Sequence, residues 1–104
     1  MQNNKNPLEN FPKEAPEVAA AFDNLIQSLI NTNWLDPKTK QLIYIGIKVS
    51  QWDEKAVYFH VPMAKKLGAT REEIKDTVLL TLTVVWIRGV ASCLDLALSV
   101  YDNC

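Results

Sequence analysis

LDPKTKQLIYIGIKVSQWDEKAVYFHVPMAKKLGATREEIKDTVLL, residues 35–80, contains three helix starts in succession. In the first, Asp36 precedes Pro37, an N-cap followed by a residue whose missing N–H costs nothing at the first helical position. Leu42, Ile43, Ile45, Gly46, Ile47 and Val49 then cover more than one face. This predicts a central, heavily buried helix to about residue 50. Ile45, Ile47 and Val49 also alternate as in a strand, but the Asp-Pro start and the length favour a helix. Asp53 caps a second helix from Glu54, with its acid near the positive end of the dipole. Ala56, Val57, His60, Met63, Ala64 and Leu67 form its stripe, and Gly68 is suited to end it. Pro62 interrupts the pattern, because proline removes an N–H and clashes with the carbonyl four residues back, that of Tyr58. A kink near 58–62, or two short helices, is expected. Thr70-Arg71-Glu72-Glu73 is a capping box. Ile74, Val78, Leu82 and Val85 carry that helix to about 86.

Outward from this stretch, Pro16 opens a helix over about 16–31, with Val18, Phe22, Leu25, Ile26, Leu29 and Ile30 on one face. Asn31, Thr32 and Asn33 end it. Residues 1–14 are polar, contain Pro7 and Pro12, and read as an extended arm that Leu8 and Phe11 pin to a surface. Arg88–Gly89 breaks or bends the chain before a last helix over about 90–101. Asp102-Asn103-Cys104 is expected to fray. The expectation is an all-α, oligomeric subunit of about five to six helices, with one domain over residues 1–104.

The chain has 104 residues, of which 48% are apolar and 22% charged, which excludes disorder of the whole chain. Eleven basic residues against twelve acidic ones give a net charge of −1, with none of the basic excess of a general nucleic-acid binder. The longest nearly uncharged apolar stretch, residues 78–87, is about half of what a membrane span requires. The beginning, MQNNKNPLENFPKE, has no apolar core of a secretory signal. Two cysteines, Cys93 and Cys104, are too few for a disulfide framework or a zinc site. A cytoplasmic protein with reduced thiols, no metal and no cofactor is expected. Residues 78–87 with Trp34, Trp52 and Trp86 supply more apolar surface than a chain of this length readily buries. Part of it is expected at a subunit interface.

The single histidine, His60, is the natural acid/base candidate, since its pKa lies near neutrality. It reads either as a packed histidine or as a group facing a cleft. Cys93 reads as a small buried hydrophobe, and Asp53–Glu54 as a helix N-terminus. Arg88 follows ten apolar or hydroxyl residues and is expected to be partly buried. A buried guanidinium needs a partner, here Asp76, Asp95 or a ligand carboxylate. No glycine-rich phosphate loop, H-E-x-x-H or G-x-S-x-G occurs.

The Leu35-Asp36-Pro37-Lys38-Thr39-Lys40 segment, His60, and Gly68-Ala69-Thr70-Arg71-Glu72-Glu73-Ile74 together resemble the carboxymuconolactone decarboxylase family, which includes the alkylhydroperoxidase D-like proteins. The resemblance covers about residues 16–101. It implies an all-helical subunit in trimers or hexamers with sites near subunit contacts. The redox branch of that family uses a Glu, two Cys and a His. Placed on this chain, these fall on Gln41, Asp53, Ala56 and His60, so only the histidine is retained. A dithiol mechanism needs two sulfurs, and neither matched position has one. The decarboxylase branch also lacks the Cys pair, and it removes CO₂ from a small carboxylated lactone. By that resemblance His60 is the acid/base and Gln41 orients substrate. Arg88 takes a substrate carboxylate, and Trp86 closes the pocket or lines it. Two alternatives stand beside this: a peroxide-reactive thiol at Cys93 or Cys104, and a non-catalytic helical oligomer that binds a ligand or partner.

Overall fold

A computed structural model describes residues 7–104, with side chains from Asn10 onward. Every regular element among them is helical: α1 (Pro7–Glu14), α2 (Pro16–Asn31), α3 (Pro37–Ser50), α4 (Glu54–Lys66), α5 (Arg71–Leu80), α6 (Leu82–Val85) and α7 (Ile87–Asn103). The all-α expectation holds, with seven helical segments. Contacts divide the chain into two units, Met1–Trp34 and Leu35–Cys104.

In the first unit the expected extended arm is instead largely helical. Pro7 stands at the start of α1, where its missing N–H is harmless, and Pro12 is accommodated within it. Phe11 packs against Phe22 of α2 with ring centres 6.1 Å apart, a contact that supports a helix too short to persist alone. The Ala15 N–H donates to the Phe11 carbonyl at 2.9 Å, so a single residue joins α1 to α2. Residues 1–6 of the expected arm, and the side chain of Leu8, lie outside the described residues.

In the second unit the predicted caps are present. The Thr39 N–H donates to Asp36 Oδ1 at 2.7 Å and the Ala56 N–H to Asp53 Oδ1 at 3.1 Å. Both bonds of the Thr70–Glu73 capping box form. Gly68, at φ +99°, ends α4 as expected: its N–H bonds the Lys65 carbonyl and the Ala69 N–H bonds the Ala64 carbonyl. The turn after α3 uses the same geometry, with Trp52 at φ +56° in the left-handed position.

α3 packs against α4, α5 and α7, and α4 and α5 each pack against α7. Ile45 and Val49 of α3, Val57 and Val61 of α4, Ile74 and Val78 of α5, and Cys93 and Ala97 of α7 form the buried core. Each of the larger side chains contributes about 1.5–3 kcal/mol through burial. α3 is only partly the buried helix its composition predicts, since Ile43 and Ile47 remain exposed.

Four expectations are corrected here. α4 runs unbroken through Pro62, so two short helices do not form. The helix expected over 70–86 divides at Thr81, whose buried hydroxyl donates to the Val78 carbonyl at 2.6 Å and competes with the main-chain ladder. Gly89 does not break the chain but lies buried inside α7. A Cβ on it would stand 2.8 Å from Thr81 Oγ1 and 2.9 Å from Val49 Cγ1. Glycine serves there to let α7 approach α3. The break falls earlier, at Trp86, with φ +62°. The C-terminal residues are also tied down rather than frayed. Arg71 makes two hydrogen bonds to Asp102, and Lys65 reaches the carbonyls of Tyr101 and Cys104.

Candidate functional site

Gln41, Tyr44 and Lys48 recur at i, i+3 and i+7 on α3, so they share one face. α4 packs on that helix and brings His60 to it. His60 Nδ1 lies 3.0 Å from Gln41 Oε1. An amide oxygen only accepts, so Nδ1 carries the proton and donates. Nε2 is then the basic nitrogen, and it has no hydrogen-bond partner among the described residues. The Tyr44 ring stacks against the imidazole at 4.1 Å between centres, tilted by 34°.

Burial lowers the His60 pKa below its usual value, the nearby Lys48 lowers it further, and Asp53 opposes both. The imidazole is therefore neutral at pH 7. Lys48 Nζ lies 3.5 Å from Asp53 Oδ2 and 5.6 Å from the centre of the Tyr44 ring. Asp53 has two roles: one oxygen caps α4 and the other faces Lys48.

The expected site residues thus divide. His60 and Gln41 come together, with Gln41 bonded to the histidine. Arg88 is exposed rather than partly buried, and stacks on the Trp52 ring at 4.4 Å; it makes no ion pair with Asp76 or Asp95. Trp86, at the α6–α7 junction, is 78% exposed. Tyr44 and Lys48 were not anticipated. Their signal was the helical spacing from Gln41, which becomes informative only when α4 is known to pack on that face.

Cys93 is buried, and burial pushes its thiol pKa up. Its Sγ lies 3.6 Å from Ser92 Oγ, whose hydroxyl donates to Glu54 at 2.8 Å. Cys104 is exposed, and both thiols are free. Among the described residues no group of three or more His, Cys, Asp or Glu side chains is placed to hold a metal. No helix among them is long and apolar enough to cross a membrane.

The model of the carboxymuconolactone decarboxylase family matches residues 16–97. The chain belongs to this family. It is similar, at 30% identity and a TM-score of 0.81, to the apo crystal structure of a carboxymuconolactone decarboxylase family protein from Legionella pneumophila. That likeness covers 92% of this chain and 85% of the other. It is also similar to two uncharacterized proteins of Methanocaldococcus jannaschii. MJ1511 is 32% identical over 68% of this chain, and MJ0742 is 37% identical over 64%. The matches span 66% and 65% of those relatives' own lengths, so the chain corresponds to just under two thirds of each.

Proposed function

We propose that this family member performs acid/base chemistry, of the lyase kind, on a small carboxylated or lactone substrate, with His60 as the proton carrier. The observation that carries this reading is the 3.0 Å bond from His60 Nδ1 to Gln41, which leaves a neutral Nε2 without a partner among the described residues. A neutral imidazole with its tautomer fixed takes a proton at Nε2 and returns it, while Gln41 stabilises the imidazolium through Nδ1–H. Gln41 cannot itself accept a proton, so its part is to position the histidine. Membership of the family supports the substrate class.

The reading excludes dithiol chemistry at the positions of Asp53 and Ala56, which carry no sulfur. A peroxide-reactive Cys93 is disfavoured by its burial and raised pKa, since the thiolate is the nucleophile. The active form is a homo-oligomer in the cytoplasm, and the exposed Ile43, Ile47, Leu80 and Val84 support assembly.

The test is turnover of small carboxylated lactones, followed by release of CO₂. His60→Gln should lower kcat by about a hundredfold or more while leaving helix content unchanged. Full activity in that variant overturns the reading. Equal loss in Cys93→Ser and Cys104→Ser would transfer the chemistry to sulfur.

A further inference from the structure

Lys48 is held in an unusual way for a lysine. Its side chain is only 27% exposed, yet its ammonium donates no hydrogen bond among the described residues. Its acidic neighbour, Asp53 Oδ2, stands 3.5 Å away, well beyond the roughly 2.7–2.9 Å of a tight charge-assisted bond. Asp53 is held back because its other oxygen caps α4 through the Ala56 N–H. Among the described residues its three N–H donors are therefore unspent, with only the loose ion pair to Asp53 beside them, and a cation so placed can gain from an anion. The Tyr44 ring connects this cation to the candidate site. Lys48 Nζ is 5.6 Å from its centre, and the His60 ring is 4.1 Å from the same centre. Arg88 offers no such arrangement, being exposed and stacked on Trp52.

We infer that Lys48 binds the carboxylate of a small ligand that lies across Tyr44 with its reacting end at His60 Nε2, and that Asp53 is the counter-ion this carboxylate displaces. The inference rests on the His60 reading above for the position of the reacting end. It makes Lys48 the residue that selects charged ligands over uncharged ones of the same shape.

Equilibrium binding tests it without turnover. The probes are γ-butyrolactone-γ-carboxylate and uncharged γ-butyrolactone, titrated at constant ionic strength. The readout is the ring resonance of the single histidine. The wild-type protein should show a saturable shift with the carboxylate and bind the uncharged lactone at least about tenfold more weakly. Lys48→Gln should weaken the carboxylate by at least about tenfold and leave the lactone unchanged, and Lys48→Arg should restore most of the loss. Asp53→Asn retains the capping oxygen and removes the counter-ion, so it should bind the carboxylate more tightly than wild type. Three results each overturn the inference: no saturable shift in wild type, carboxylate affinity unchanged in Lys48→Gln, or weaker binding in Asp53→Asn. Failure here is separable from failure of the catalytic reading. Charge-selective binding with turnover that survives His60→Gln removes the second alone. Turnover that requires His60, with binding indifferent to Lys48, removes the first alone.

Discussion

His60 combines three influences that a lone histidine on a helix would not have. Burial and Lys48 disfavour its charged form, and Asp53 favours it; the net effect is a lowered pKa. Its proton resonance should titrate below about 6.5, the ordinary value. A folded-state pKa below the unfolded one means that the unfolded chain binds the proton more readily. Stability from this residue is therefore present above about pH 6.5 and is lost as pH falls below it. Gln41→Glu inverts the sign. A carboxylate about 3 Å from Nδ1 favours the imidazolium, so the folded pKa rises. The added stability is then present below the unfolded pKa and is lost as pH rises through the folded one. NMR titration of both proteins, with thermal melts across the same pH range, checks the pair. A wild-type histidine titrating at or above 6.5 would contradict the environment described here.

At the scale of elements, local signals and packing signals differ in how well they can be read. Asp36, Asp53, Thr70 and Gly68 act within their own turns, and each was recognisable because cap chemistry depends on a few neighbouring residues. α1 was not, since its support comes from Phe11 meeting Phe22 on another helix. The 81–89 region was misread for the same reason. Gly89 looked like a breaker, but its missing Cβ makes room for Thr81, at the α5–α6 junction, and Val49 of α3. His60 and Gln41 were legible through the spacing of a family resemblance, whereas Lys48 and Tyr44 have no motif and depend on how α4 lies on α3. Gly89→Ala tests the packing account. The new methyl would also stand 3.1 Å from the Val49 carbonyl, main chain that cannot rotate away. The expected cost is about 1–3 kcal/mol in chemical denaturation, despite alanine's better helix propensity. A neutral or stabilising result would mean that α7 does not lie this close to α3.

At the scale of the whole molecule, the second unit leaves large apolar side chains exposed, among them Ile43, Ile47, Leu80 and Val84. Leu42, Ile43, Ile47, Leu80 and Val84 line an apolar groove of about 430 Å³ along α3, α5 and α6. Of its hydroxyls, those of Ser50, Thr77 and Thr81 are turned to the carbonyls of Ile47, Glu73 and Val78. Contiguous apolar surface of this kind mostly marks an interface, so the proposed homo-oligomer should depend on it. Val84→Glu places a charge on a residue 74% exposed in the chain, so the subunit's fold should survive it while assembly should not. Sedimentation should give wild type a mass several times the 11.8 kDa of one chain and the variant a smaller one. The wild-type melting temperature should rise with protein concentration and that of the variant should not, since association stabilises only the folded chain. The groove residues Ile43 and Ile47 follow a different register along α3 from Gln41, Tyr44 and Lys48, so the variant's His60 titration should stay where it is in wild type. A wild-type protein that sediments as a single chain at every concentration would refute the interface. A variant that dissociates and also shifts the His60 titration would show instead that assembly completes the site.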